Sequence, residues 1–240
     1  MPAHRVRSIE RVADGVHFVE GPASNWVVLS GDGTVSLIDA GYPGDIGLVR
    51  ASIREVAGSA PLVAIAVTHG HSDHTGGINP LLTGSPNAIV LTGDAEVPNV
   101  RRDVTYQVTA GAVLPHLIKP RFAGWLRHAI QAGGLQDVAV KKASGLADGA
   151  EFTLSGHTLR ARITPGHTPG HTAYELPDIR AVATGDALVT GHAVSRATGP
   201  QSLHPMFHHD TASAVAQAKK LHREWIDWTL LPGHGALLRR

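Results

Sequence analysis

The stretch Thr68-His69-Gly70-His71-Ser72-Asp73-His74-Thr75-Gly76-Gly77 decides how this chain is read. It follows an apolar run, residues 62–67, with the length and Val/Ile content of a buried strand. Where a strand gives out into a glycine-bearing loop, residues two apart still point roughly the same way. His69 and His71 can therefore offer imidazole nitrogens to one ion. Asp73 and His74 follow as the chain turns, and their side chains diverge from the first pair towards a second ion. Four potential ligands of the hard-to-borderline type that suits zinc thus crowd into positions 69–74.

Outward from that loop the pattern is of strands and helices. Strands are predicted at 16–19, 26–29 and 34–38, with Gly31-Asp32-Gly33 as a tight hairpin turn. Residues 45–56 have helical spacing, with Ile46, Val49, Ile53 and Val56 on one side, Arg50 and Arg54 away from it, and Gly58 closing the helix. A short helix at 78–82 and a strand at 88–91 follow the histidine loop. Residues 95–145 are the least regular: Pro115 and Pro120 among apolar residues predict broken helices. Hairpins are expected around Ser155-Gly156 and Pro177-Asp178, a helix at 211–222 capped by Asp210, and a last strand at 228–231. Two runs of strands, each followed by a helix, suggest two similar halves.

Composition narrows the partners. A 240-residue chain with 42% hydrophobic and 17% charged residues has ample length for a core. Its net charge of +1 gives no electrostatic reason to expect nucleic acid. With no cysteine, disulfides, thiolate zinc sites and a cysteine nucleophile are excluded. Residues 1–10 are polar and basic without an apolar core, and no run approaches membrane-spanning length, so a cytoplasmic location is the expectation. Histidine is the anomaly: 16 are present where roughly five or six are usual. A metal site accounts for only part of that excess.

The histidine cluster resembles that of the metallo-β-lactamase superfamily, and four further signals stand in that family's order. Leu37-Ile38-Asp39-Ala40-Gly41 resembles its early Asp. Thr164-Pro165-Gly166-His167, Gly185-Asp186 and Pro232-Gly233-His234 resemble its later ligand turns. Singly, His167, Asp186 and His234 would pass for turn or cap residues; the cluster at 69–74 changes their reading. The resemblance implies an α+β, four-layer αββα sandwich, a single domain over residues 1–240 with a variable helical insertion at about 95–145. It implies His69, His71 and His167 on one metal, Asp73, His74 and His234 on another, and Asp186 bridging the two. Two Zn2+ per chain are expected, with iron or manganese accepted by the same donors.

That arrangement implies a hydrolase in which a hydroxide shared by the metals attacks an ester, thioester or lactone carbonyl. Asp73 would act catalytically, holding the hydroxide and passing a proton to the leaving group. Asp186 argues against the antibiotic-hydrolysing lactamases, and His71 against the flavin-linked diiron oxidoreductases, which carry Glu there. The chain ends six residues after His234, leaving no room for the glutathione-binding domain of typical glyoxalase II enzymes. Lactonases that open acyl-homoserine lactones resemble this ligand set. A mononuclear-iron persulfide dioxygenase is the alternative from another class; a non-catalytic metal module and β-lactam hydrolysis as a side activity are further ones. A small-molecule substrate is expected, with no nucleic acid or membrane partner, and a homodimer is left open.

Several supporting residues keep two readings. Asp39 either orients a ligand histidine or caps the turn before Gly44 and Asp45. Leu114, Leu117, Phe122 and Trp125 either wall a substrate pocket or form a dimer face or satellite core. His171, four residues after His167, fits a common variant of the family in which the second His is not a ligand, and is a candidate to support one from behind. His204, His208 and His209 either meet substrate or simply pack their loop, and Tyr42, Tyr106 and Tyr174 are all available as an oxyanion-side phenol.

Overall fold

The structure is a computed structural model and describes residues 5–240. Part of the amino-terminal stretch read as leader-free, residues 1–4, lies outside the described residues. The first sheet has seven strands: β1 (Ser8–Ala13), β2 (Val16–Glu20), β3 (Asn25–Gly31), β4 (Thr34–Ile38), β5 (Leu62–Ala66), β6 (Ile89–Gly93) and β7 (Ala143–Leu146), paired in that order. Pairing is antiparallel through β4 and parallel from β4 to β7. The second sheet contains β8 (Glu151–Leu154), β9 (His157–Ile163), β10 (Thr172–Leu176), β11 (Ala181–Gly185) and β12 (Thr229–Pro232), in the order β12-β11-β10-β9-β8. Only its β11–β12 pair is parallel.

Alternation along the strands explains how the sheets stack. Val16 and Phe18 of β2, Val27 and Leu29 of β3 and Ile38 of β4 face the second sheet, where they meet Leu159, Ala161, Tyr174 and Leu231. The intervening Trp26, Val28 and Leu37 turn outward and are covered by α1 (Ile46–Ala57) and, beyond α2 (Ser72–Thr75), by α3 (Ile78–Gly84). After the short α4 (Val97–Val100) and α5 (Ala110–Val113) comes α6 (Pro120–Gln131), part of a smaller apolar cluster around Phe122, Val189 and Phe207. Across the molecule α7 (Thr211–Glu224) packs Ala218 and Leu221 on Ala173, Val182 and Leu230. The result is the four-layer αββα sandwich. Each sheet grows the same way, by an antiparallel meander and then a parallel strand reached through a helix.

Two strands were not expected. β1 has no fully buried residue, so its sequence carries little apolar alternation; its pairing with β2 makes it a strand. β7 overlaps the end of the stretch expected to be a helical insertion, about 95–145, so the last residues of that stretch are strand. Three small residues and one leucine have no strand signature alone, and the parallel ladder to β6 supplies it. The helices between them break at Pro115 and Pro120 as expected.

Candidate metal centre

The site lies beyond the carboxyl ends of β4, β5, β11 and β12, where parallel strands all deliver their following loops to one edge. Asp39 follows β4, His69 and His71 follow β5, Asp186 follows β11 and His234 follows β12; His167 comes from the turn between β9 and β10. Glycine makes two of these approaches feasible. Gly185 has φ +49°, and a Cβ there would stand 2.6 Å from His171 Nε2. At Gly70 a Cβ would stand 2.7 Å from the Asn99 side-chain nitrogen.

The structure brings all seven sequence-predicted ligand residues together, in two groups able to hold a metal: His69, His71, His167 and Asp186, and Asp73, His74 and His234. His167 Nε2 stands 3.2 Å from His69 Nε2 and 3.0 Å from His71 Nδ1. It is 3.4 Å from Asp186 Oδ2. In the second group His234 Nε2 is 3.3 Å from Asp73 Oδ2, and His74 Nε2 is 3.7 Å from the same oxygen. Asp186 touches both groups, its Oδ2 lying 3.3 Å from His234 Nε2 and its Oδ1 3.5 Å from His74 Nε2. Ligands about 2.0–2.1 Å from a tetrahedral zinc are roughly 3.3 Å apart, so the spacing fits. His74 Nε2 and Asp186 Oδ1 are moreover buried without a hydrogen bond among the described residues.

The second nitrogen of each imidazole fixes which lone pair faces the centre. His71 Nε2–H donates to Tyr106 O at 2.6 Å, His74 Nδ1–H to Asp39 Oδ2 at 2.8 Å and His234 Nδ1–H to Ala23 O at 2.8 Å. Thr68 Oγ1 donates to Asp39 Oδ2, so it accepts from His69 Nδ1–H at 3.0 Å. His208 Nε2–H donates to Leu203 O, leaving its Nδ1 to accept from His167 Nδ1–H at 3.3 Å. With the outer nitrogen of each ring engaged, all five turn their other nitrogen inward, which is how outer partners prepare ligand histidines.

Electrostatics differ between the groups. Burial pushes His69 and His167 well below the usual histidine range, and neighbouring imidazoles press the same way. Burial also opposes charge on His74, but Asp73, Asp186 and Asp39 outweigh it and raise its pKa to about 9. His234 is raised for the same reason by Asp186 and Asp73. The two carboxylates are held well below their ordinary value despite burial, because His74 and His234 face them.

The supporting residues separate clearly. Asp39 orients His74 and also accepts from Thr68 N, at 2.8 Å each. His171 accepts from Asp186 N at 3.0 Å and so positions that carboxylate. Leu114, Leu117 and Trp125 line a cavity of about 290 Å3 over the site, while Phe122 does not and instead packs against Val189 and Phe207. His204 and His209 pack on Phe122 and Tyr106 rather than lining that cavity, and His208 supports His167. Of the three tyrosines only Tyr42 lines the cavity; Tyr174 is in the core, donating to Val67 O at 2.8 Å.

Two residues were missed. His192, neutral because burial lowers its pKa to about 3, lines the cavity beside His234. Glu96 is fully buried and accepts four hydrogen bonds, from Gly70 N, Asn99 Nδ2, Thr168 Oγ1 and Gly170 N. It ties the loop bearing His69 and His71 to the turn bearing His167. Neither stands in a motif, and only the folded loops show what they touch.

A fold of this kind with these converging side chains is that of the metallo-β-lactamase superfamily, whose model matches residues 19–234, and the chain belongs to that family. The chain is 30% identical to "Probable metallo-hydrolase YflN" of Bacillus subtilis (strain 168), over 98% of this chain and 90% of that protein. It is 31% identical to a hydroxyacylglutathione hydrolase of Alkalilimnicola ehrlichii, over 70% of this chain but only 49% of that one. Among solved structures, a metallo-beta-lactamase family protein from Thermus thermophilus superposes with a TM-score of 0.63 at 18% identity, over 95% of this chain and 76% of that chain. That likeness concerns the fold alone. No helix among the described residues is long and apolar enough to cross a membrane.

Proposed function

We propose that this chain is a dinuclear metal-dependent hydrolase that cleaves an ester, thioester or lactone carbonyl. His69, His71 and His167 would hold one ion, Asp73, His74 and His234 the other, with Asp186 reaching both. The observation carrying this reading is the set of five imidazoles whose outer nitrogens are engaged, so that five inner nitrogens converge beside two carboxylates. These donors suit zinc and accept iron or manganese. Bound there, a pair of cations supplies water activated near neutral pH and a Lewis acid for a carbonyl oxygen.

The chain's own groups supply the remainder. Asp73 is the less buried of the two carboxylates and faces the cavity, so it can take a proton and return it to the leaving group. Burial and the nearby carboxylates keep the Tyr42 phenol protonated, a donor for the oxygen on which charge develops. The similarity to a hydroxyacylglutathione hydrolase supports acyl hydrolysis in general. The second donor group, Asp73, His74 and His234, supports two ions over a mononuclear iron centre.

Metal analysis of protein purified without added metal tests the reading. Two ions per chain are expected, with ester hydrolysis lost on chelation and restored by zinc. A single tightly bound iron, with oxygen uptake on a persulfide, would overturn it.

A further inference from the structure

Resting on that hydrolase reading, we infer that the substrate is an uncharged acyl compound with an apolar chain, and that the site rejects substrates carrying a carboxylate beyond the scissile bond. Away from the metal-facing residues, the 290 Å3 cavity is walled by Val108, Val113, Leu117, Trp125, Leu126 and Phe207. Its polar lining there carries no formal charge: Tyr42, Ser72, Gln107, Thr109 and the buried, neutral His192. No lysine or arginine is among the described residues that line it. Of the cations on or beside the covering helix, Arg121 donates to Ser195 O at 2.6 Å, Lys119 lies 5.5 Å over the Phe122 ring, and Arg127 is exposed and does not line the cavity.

A carboxylate pushed into such a wall would lose its hydration without gaining a cationic partner, whereas a methylene chain would gain by burial. The volume suits about ten non-hydrogen atoms at roughly 30 Å3 each, near the volume of a water in the liquid. The mouth continues the apolar path, because Leu114 and Leu135 line it and are 63% and 81% exposed. Longer chains therefore stay in contact with the rim rather than clashing with a closed end.

The test uses the metal-loaded full chain and aryl esters of linear acids from acetyl to decanoyl, each paired with an analogue ending in a carboxylate. We expect kcat/KM to climb about fourfold per methylene from butyryl to octanoyl and then flatten. The terminal carboxylate should lower it at least about 100-fold, and Leu117→Arg should narrow that gap at least about tenfold. Equal rates for charged and uncharged pairs, or no chain-length dependence, would overturn the inference while leaving the hydrolase reading intact. If metal-loaded protein hydrolyses none of the series, the hydrolase reading falls instead. Calorimetric binding of octanamide against suberamate then decides the cavity's preference: selective binding of octanamide supports it, and equal binding refutes it.

Discussion

Glu96→Gln is the substitution that best separates a loop held by packing from one held by a buried carboxylate. Every partner of Glu96 is a donor: Oε1 takes Gly70 N at 2.8 Å and Asn99 Nδ2 at 2.6 Å, and Oε2 takes Thr168 Oγ1 at 2.7 Å and Gly170 N at 3.0 Å. Glutamine keeps one acceptor oxygen and replaces the other with an NH2. Placing the NH2 at the Oε1 position would leave both Gly70 N and Asn99 Nδ2 facing a donor. Asn99 cannot flip to adapt, because its Oδ1 accepts from Tyr106 N at 3.0 Å. Placing it at the Oε2 position leaves only Gly170 N–H without an acceptor, since the Thr168 hydroxyl can rotate.

One orphaned buried donor costs about 1–3 kcal/mol. Burial pushes the Glu96 carboxyl above its ordinary value, so removing the charge offsets part of that loss. We expect a net loss of about 1–2 kcal/mol, or roughly 2–8 °C in Tm for a domain of this size. Alanine would orphan all four donors, at roughly 4–12 kcal/mol, comparable with the whole stability of a domain. Glutamine is therefore the informative variant. Because the bonds join the loops of His69, His71 and His167, metal affinity should fall about 10-fold or more, read by competition with a chromogenic chelator. An unchanged Tm together with unchanged affinity would refute the reasoning; a lower Tm with full affinity would make Glu96 purely structural.

The other predictions concern the supporting shell. In Asp39→Asn the oxygen that accepts from Thr68 N keeps its partner and the amide turns its NH2 towards His74 Nδ1, forcing the His74 proton onto Nε2. Affinity of the Asp73, His74 and His234 group should drop about 10–100-fold, and chelator challenge should leave one ion per chain where the parent keeps two. Tyr174→Phe should cost about 1 kcal/mol of stability with kcat unchanged, because Val67 O keeps its bond from Thr92 Oγ1. Tyr42→Phe should lower kcat with the metals retained; steady-state kinetics and metal content on both variants distinguish the two phenols. In the metal-free chain the neighbouring carboxylates raise His74 to about 9 and raise His234 as well, and metal needs both rings neutral, so apparent affinity should rise with pH from 6 to 9. A flat affinity between pH 6 and 9 in chelator competition would contradict this.

Legibility in the sequence followed locality. The histidine loop, the three later turns and most strands were readable because their signals sit within a few residues: alternation, a turn glycine, a cap such as Asp210, whose side chain accepts from Ser213 N. β1 and β7 were not, since each is a strand only by virtue of the neighbour it pairs with. Phe122, grouped with Leu114, Leu117 and Trp125 by hydrophobicity and spacing, turns away from the cavity, because a helix presents two faces and only packing chooses between them.

By itself the sequence marked most of the strands and helices, and the resemblance carried by its histidine loop and later turns implied the sandwich and seven side chains as ligands. Tertiary structure decided what those side chains can do. It brought positions 69–74, 167, 186 and 234 to one sheet edge. It also fixed each imidazole's proton through partners as distant in the chain as Ala23 to His234. It brought Tyr42 rather than Tyr174 to a cavity that no lysine or arginine among the described residues lines. The physical reason is one of range: backbone conformation and amphipathic period are set by neighbours, whereas a lone pair's direction or a cavity's charge depends on groups that meet only once the chain has folded.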